Sequence, residues 1–296
     1  MAQVQDIKRR IRSVRNTRKI TKAMELVAGA RLRRAQARIE AMRPYADRMM
    51  ELMIGTARAS SQREGGLPLL QRREVKTAAI LGLTGDRGLA GGFNAQILRH
   101  VFAVERRLRG EGVEVKWLVS GRKGASTLRF RGYEVDQAWI GFSDRPAYSD
   151  AQALAHKITE LYSDGEVDSV VIVYNHFESP LVQRVVEQEV LPIPEHVLDA
   201  GDEAHERALS GDFIYEPEPE QILDRLLPVY VETELYRALL ESAASEQGAR
   251  MTAMRNASKN AAELIDSLTL AMNRARQAEI TQEILEVVAG ADALTN

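Results

Sequence analysis

Over the first 59 residues, apolar positions recur three and four apart: Ile7, Ile11 and Val14, then Leu32, Ala35, Ile39 and Met42. That spacing is the seam of a coiled coil, whose apolar stripe must face another helix. Ile20, Met24 and Val27 sit one position off the seam, so the stripe drifts and imperfect pairing is expected. From Val4 to Ala59 the only glycines are Gly29 and Gly55, and Arg, Ala, Met and Leu, all good helix formers, dominate. The segment predicts one long helix. Pro44 falls inside it and is expected to kink or interrupt the helix near Arg43, at about 3 kcal/mol if the helix continues. Residues 60–74, with Gly65, Gly66 and Pro68, read as a linker.

The period then changes. Thr77 to Thr84, Val113 to Val119 and Asp168 to Tyr174 are short β-rich runs, separated by helical stretches at Asn94 to Arg109 and Asp150 to Tyr162. Strands alternating with helices predict βαβ units around a mostly parallel sheet, here a Rossmann-like α/β domain over 75–212. Leu181 to Leu191, bracketed by Pro180 and Pro192, predicts a further strand at an edge.

From about Pro219 the helical period returns. Met251, Met254, Ser258, Ala261, Ile265, Leu268, Met272 and Ala275 keep the spacing of four and three, and Ile280, Ile284, Val287, Ala291 and Leu294 resume it one position later. A 60-residue helix is about 90 Å long, so most of it must pack outside the middle domain. The first helix carries the other long apolar stripe. The fold class expected is therefore α/β: a long antiparallel coiled coil of helices within 1–59 and 213–296, plus the central domain.

Charge adds a polarity that the net value of -2 hides. Between Lys8 and Arg43 a cationic rod, including Arg9, Arg10, Arg12, Lys19 and Lys22, is opposed only by Glu25 and Glu40, whereas acidic residues prevail from Glu178 to Glu246. Different partners at different ends are expected. With no cysteine, the chain can form no disulfide, thiolate nucleophile or zinc ribbon. Its five histidines make no i,i+3 or i,i+4 pair, and neither a metal nor a cofactor is expected. No apolar run reaches eighteen residues and the basic amino end lacks an apolar core, so neither a membrane span nor a secretory signal is expected.

Two stretches tempt other readings. Thr84 to Asn94 (TGDRGLAGGFN) follows a strand and precedes a helix, where a phosphate loop would lie. It lacks the Lys-Ser/Thr of a Walker loop and does not fit GxGxxG, so a structural turn built on Asp86, Arg87, Gly88, Gly91 and Gly92 is favoured, with glycine supplying positive φ and close approach. The cationic rod could hold nucleic acid, but no aromatic residue precedes Tyr45, and a protein-facing surface is favoured. The helix end Val287 to Leu294 is slim and mostly apolar and calls for a hydrophobic socket on another chain.

Three blocks together resemble the gamma subunits of bacterial F-type ATP synthases over essentially the whole length: Ile11 to Val14 with Thr17 to Met24, the Asp86 to Asn94 turn, and Ala275 to Glu283 with Glu286, Gly290 and Ala291. The resemblance implies a non-catalytic rotor shaft that couples proton flow through a c-ring to the catalytic beta subunits. The terminal coiled coil would stand inside a ring of three alpha and three beta subunits. The middle domain would bind the epsilon subunit and the c-ring, peripheral to the cytoplasmic face of the cell membrane. By position, the resemblance places Arg276, Gln277 and Thr281 against a beta-subunit loop, with Lys22 and Met24 on the facing helix; Arg9 and Arg10 of the rod and Ile284, Val288 and Leu294 of the tip would also meet the ring. Phe213 to Pro217, including Tyr215 and Glu216, would lie near the c-ring. Ala90 stands where many relatives carry Cys, and the cysteine-bearing insert of chloroplast relatives is missing.

Overall fold

A computed structural model describes residues 2–59, 67–194 and 218–295, with side chains for 4–57, 67–194 and 218–289. Residues 60–66 of the expected linker, and Tyr215 and Glu216, lie outside the described residues, as does the side chain of Leu294. Two compact units are present, one of residues 1–28 with 251–296, the other of residues 29–250.

In the first unit, α1 (Ala2–Ala59) runs against α5 (Pro219–Thr295). Val4, Ile11, Thr21, Glu25 and Ala28 are buried and Ile7 and Val14 half-buried, a strict succession of threes and fours once the exposed Arg18 is counted. The expected drift is absent: Ile20, at 61% exposure, and Val27, at 53%, point away from the seam. Polar partners hold the register where apolar ones are missing. The Thr21 hydroxyl lies 2.7 Å from that of Ser258, and Arg255 Nε donates to Glu25 Oε1 at 3.2 Å. Hydrogen bonding from Lys22, opposed by burial and aided by Arg255, holds the Glu25 carboxyl below its ordinary range. Stepping forward on α1 steps backward on α5, so the helices are antiparallel. On α5 the matching stripe is Met254, Ser258, Ala261, Ile265, Leu268, Met272 and Ala275, all buried or half-buried.

Helical hydrogen bonding continues through Pro44. The expected interruption does not occur because Pro44 and Glu40 are both exposed, so the carbonyl deprived of its donor faces water.

In the second unit, β1 (Thr77–Leu83), β2 (Glu114–Ser120), β3 (Gln137–Trp139), β4 (Ser169–Phe177) and β5 (Gln183–Leu191) form one sheet in the order β3-β2-β1-β4-β5. Only β5, the edge strand, is antiparallel to its neighbour. The connecting helices are α2 (Phe93–Gly110), α3 (Arg122–Phe130) and α4 (Tyr148–Ser163). Right-handed crossovers fix their sides. Moving from β1 outward to β3 puts α2 and α3 on one face, where Ile97, Val101 and Leu128 meet Ile80 and Val119. Returning across the sheet to β4 puts α4 on the other, where Leu154 and Ile158 meet Leu81 and Ile172. Met53 and Ala57 of α1 and Leu227, Val231 and Leu235 of α5 complete this second core. Every α5 residue from 238 to 248 is buried, which makes these roughly three turns of helix an interior element despite their Glu, Ser and Gln.

Strand β3 and helix α3 went unseen in the sequence. Helix α3 starts where Gly121 takes φ +95°, and a Cβ there would lie 2.0 Å from the Thr84 carbonyl oxygen. Gly121→Ala is expected to cost more than about 3 kcal/mol through strain and clash. Gly110→Ala, with open space around it, should be neutral or mildly stabilising. Thermal unfolding of the purified chain checks this; equal midpoints for the two variants would remove the close approach of α3 from the account.

Candidate functional site

The shaft residues divide by exposure. Arg9, Arg10, Lys22, Arg276, Gln277, Thr281, Ile284 and Val288 are all exposed, and Met24 is half-buried. Arg9 pairs with Asp6 on its own helix and Lys22 Nζ with Glu25 at 3.0 Å. Gln277, Thr281, Ile284 and Val288 stand four, three and four apart, so they share one side of α5. The antiparallel register brings Val4 level with about Ala275, and beyond it every described residue from 280 to 289 is exposed. That stretch includes Ile280, Ile284, Leu285, Val287 and Val288, an apolar surface with no described neighbour to cover it.

The second place to look for chemistry is the carboxyl end of β1 and β4, where the sheet order reverses and folds of this kind hold ligands. Here α5 fills it. A Cβ on Gly85 would come within 2.8 Å of the Glu246 carboxyl group, which is 1% exposed. Ser245 Oγ donates to the Asn175 carbonyl at 3.1 Å and Arg250 Nη2 to that of Gly88 at 3.4 Å. Burial pushes the Glu246 carboxyl up from its ordinary value, while its ion pair with Arg250 pulls the other way. Asp144, just before α4, gathers Arg31 of α1 at 2.7 Å, Gln247 at 3.1 Å, Arg87 at 3.7 Å and Arg250 at 3.8 Å. One loop carboxylate thus ties together both long helices and the turn.

The turn is structural in detail. The Asp86 carboxylate accepts N–H bonds from Gly141 (2.9 Å), Arg122 (3.0 Å) and Ser143 (3.1 Å), which occupies with a side chain the position a bound anion would take at the α3 N-terminus. Among the turn glycines named from the sequence, Gly91 has positive φ (55°), whereas Gly88 and Gly92 do not. The tight approaches are instead at Gly85, Gly121 and Gly124. Sequence reasoning missed Arg31, Asp144, Glu246 and Arg250, which read as helix or loop surface; the small residues Ala243, Ala244, Ser245 and Gly248 were the available sign of a closely packed helix.

Burial pushes the Asp86 carboxyl up, but the backbone donors of Gly141, Ser143 and Arg122 together outweigh it and hold the group below its ordinary value. A depressed carboxyl contributes stability that is present above the unfolded pKa and lost as pH falls through the folded one. Asp86→Asn is therefore expected to lose about 1–3 kcal/mol at pH 7, with the gap to the parent chain narrowing only as pH falls below about 4, the ordinary carboxyl value, and on through the lower folded one. Urea unfolding across that range checks it; parallel curves would contradict the assignment.

The ATP synthase family model matches residues 3–294. Curated relatives described as ATP synthase gamma chain include those of Moorella thermoacetica, 47% identical over 99% of this chain and 100% of the relative, and Rubrobacter xylanophilus, 46% identical over 99% of each. That of Nostoc punctiforme is 42% identical over the whole of both. Among solved structures, a chain of the Tetrahymena thermophila mitochondrial ATP synthase central stalk and c-ring matches with TM-score 0.61 and 27% identity, over 81% of this chain and 99% of that one. A chain of the Euglena gracilis mitochondrial enzyme shares the fold, with TM-score 0.67 and 16% identity over 99% and 95%. A sheet whose ligand crevice is filled from within, two antiparallel terminal helices and matches of this extent lead to one conclusion: the chain belongs to the ATP synthase gamma chain family.

Proposed function

We infer that the chain is the central rotor shaft of an F-type ATP synthase, coupling proton flow through the c-ring to conformational change at the beta-subunit catalytic sites. It performs no catalysis itself. Its partners are the alpha and beta subunits, the epsilon subunit and the c-ring, and it is peripheral to the membrane, on the cytoplasmic face of the cell membrane in this reading. No helix among the described residues is long and apolar enough to cross a membrane.

The observation that carries the reading is the exposed apolar run from Ile280 to Val288 beyond the paired part of the coiled coil. Apolar contact is non-directional, so such a tip can be sleeved by a ring without favouring one angle. Arg276, Gln277 and Thr281 at its base would meet a beta-subunit loop, and the cations of α1 would face acidic loops of the same ring. An asymmetric shaft then biases three otherwise equal sites toward three different states.

Since Val288 is exposed in the free chain, Val288→Asp leaves its fold unchanged, while inside an apolar sleeve an ionised, dry carboxylate would cost several kcal/mol, on the order of 3 or more. Membrane ATP synthesis should fall further for Val288→Asp than for a chain ending at Ala291. A dead truncated chain beside a working charged one would mean specific end contacts in place of a bearing.

Arg9→Glu with Arg10→Glu should weaken coupling or assembly but spare the free chain, since exposed charges contribute little to stability. Lys22→Glu is a different case: beside the buried Glu25 it would loosen the seam and lower the melting point as well. Normal ATP-driven proton pumping in the assembled Arg9/Arg10 variant would count against ring-facing cations.

A further inference from the structure

Helix α3 presents Arg122, Lys123, Ser126, Arg129 and Phe130 to solvent and contains no acidic residue. Phe130 is 91% exposed. Between residues 99 and 131 there are nine Arg and Lys against three Glu, in a chain whose net charge is -2. Two of those glutamates are exposed, Glu111 and Glu114, and the third, Glu105, is buried and bound by Arg109 and Tyr133. Arg107 pairs with Glu187 of β5, and the Arg131 guanidinium, just past the end of α3, lies over the Phe102 ring in the middle of α2 at 4.4 Å. Arg99, Arg122, Lys123 and Arg129 have no acidic partner among the described residues.

Ordinary helix chemistry explains part of this. Cations in the last turn complement the free carbonyls, which accounts for Arg107, Arg109 and Arg129. It does not account for Arg122 and Lys123, two cations in the first turn of α3 where the single carboxylate of Asp86 already caps the helix end, nor for a bare phenyl ring between Arg129 and Arg131.

We propose that the outer face of α3, with the part of α2 that Arg131 reaches, binds an anionic lipid surface, Phe130 entering the headgroup boundary while Arg122, Lys123, Arg129 and Arg131 meet lipid phosphates. A protein partner would be expected to find an apolar anchor set in a packed, matching patch. A single ring that is 91% exposed and flanked by cations projects outward, and a deformable interface accepts it without a pocket. The proposal goes beyond the rotor reading and does not depend on it.

The test uses the full chain carrying Phe130→Trp, with the parent chain, whose Trp117 is buried and Trp139 half-buried, as background. Emission is followed on adding vesicles of phosphatidylcholine alone or with phosphatidylglycerol, with and without brominated acyl chains. A blue shift and bromine quenching are expected with the anionic vesicles only. Affinity should fall at least roughly tenfold when Arg129→Gln and Arg131→Gln are added, at about 1 kcal/mol per cation near the surface. Should Phe130→Trp fail to fold, Ser126→Trp reports from the same face.

Anionic vesicles that leave the reporter unchanged would overturn the proposal, as would quenching equal in neutral vesicles or indifferent to the Arg129/Arg131 pair. Vesicle binding abolished by Arg9→Gln with Arg10→Gln, with the reporter silent, would place the contact on α1 and overturn it too. A reporter that responds to an acidic polypeptide such as polyglutamate but to no vesicle would make the face a protein-docking surface instead.

Discussion

A carboxyl group that is 1% exposed and lies against the bare backbone of Gly85 constrains everything around it. Without Arg250 the Glu246 carboxylate would be a buried charge lacking its partner, at about 3–5 kcal/mol if it stayed ionised. Arg250 in turn reaches the Gly88 carbonyl and stands 3.8 Å from Asp144, and Asp144 holds Arg31 of the other long helix. Each link fixes the rotation of a helix about its own axis as well as its position. Gly85, with no side chain, leaves the room that the Glu246 carboxyl fills at the end of β1. What would be a binding site in a catalytic α/β protein is here a joint between helices and sheet.

The same economy governs the coiled coil. Keeping a strict repeat of seven puts Thr21 and Glu25 inside the seam and turns Ile20 and Val27 outward. Taken alone this lowers the stability of the pair, since apolar area is left in water and polar atoms are buried. The hydrogen bond between Thr21 and Ser258 and the bonding of Arg255 to Glu25 offset the second cost and fix the register. The first cost makes sense for a helix pair enclosed by other subunits, whose outer faces are contact surfaces.

Legibility in the sequence followed the strength of each local signal. Both long helices, three of the five strands and the edge strand, though not its direction, were readable, because each has a run of matching period or a bracket of prolines. Strand β3, three residues long, has no periodicity to detect, and α3 opens with Gly121-Arg122-Lys123-Gly124, a poor helix signature that only the pressing of its start onto Thr84 explains. The apparent drift of the seam arose because apolar residues were assumed to mark the interior; at Ile20 and Val27 they mark the outside. Pro44 does not interrupt the helix because its penalty depends on whether the orphaned carbonyl is wet, which spacing along the chain does not reveal. The exposed shaft residues were named from a family likeness, whereas the Asp144 and Glu246 cluster needed three dimensions, since its members lie as far apart as residues 31 and 250.

Whether the crevice is a joint or a site can be decided by titrating ATP with Mg²⁺ into the purified chain in a calorimeter. With Glu246 seated against Gly85 and Asp86 holding the backbone donors at the start of α3, only the heat of dilution is expected at millimolar nucleotide. Saturable heat with one ATP per chain, reduced by a substitution in the Thr84 to Asn94 turn, would contradict a chain whose ligand crevice is filled from within.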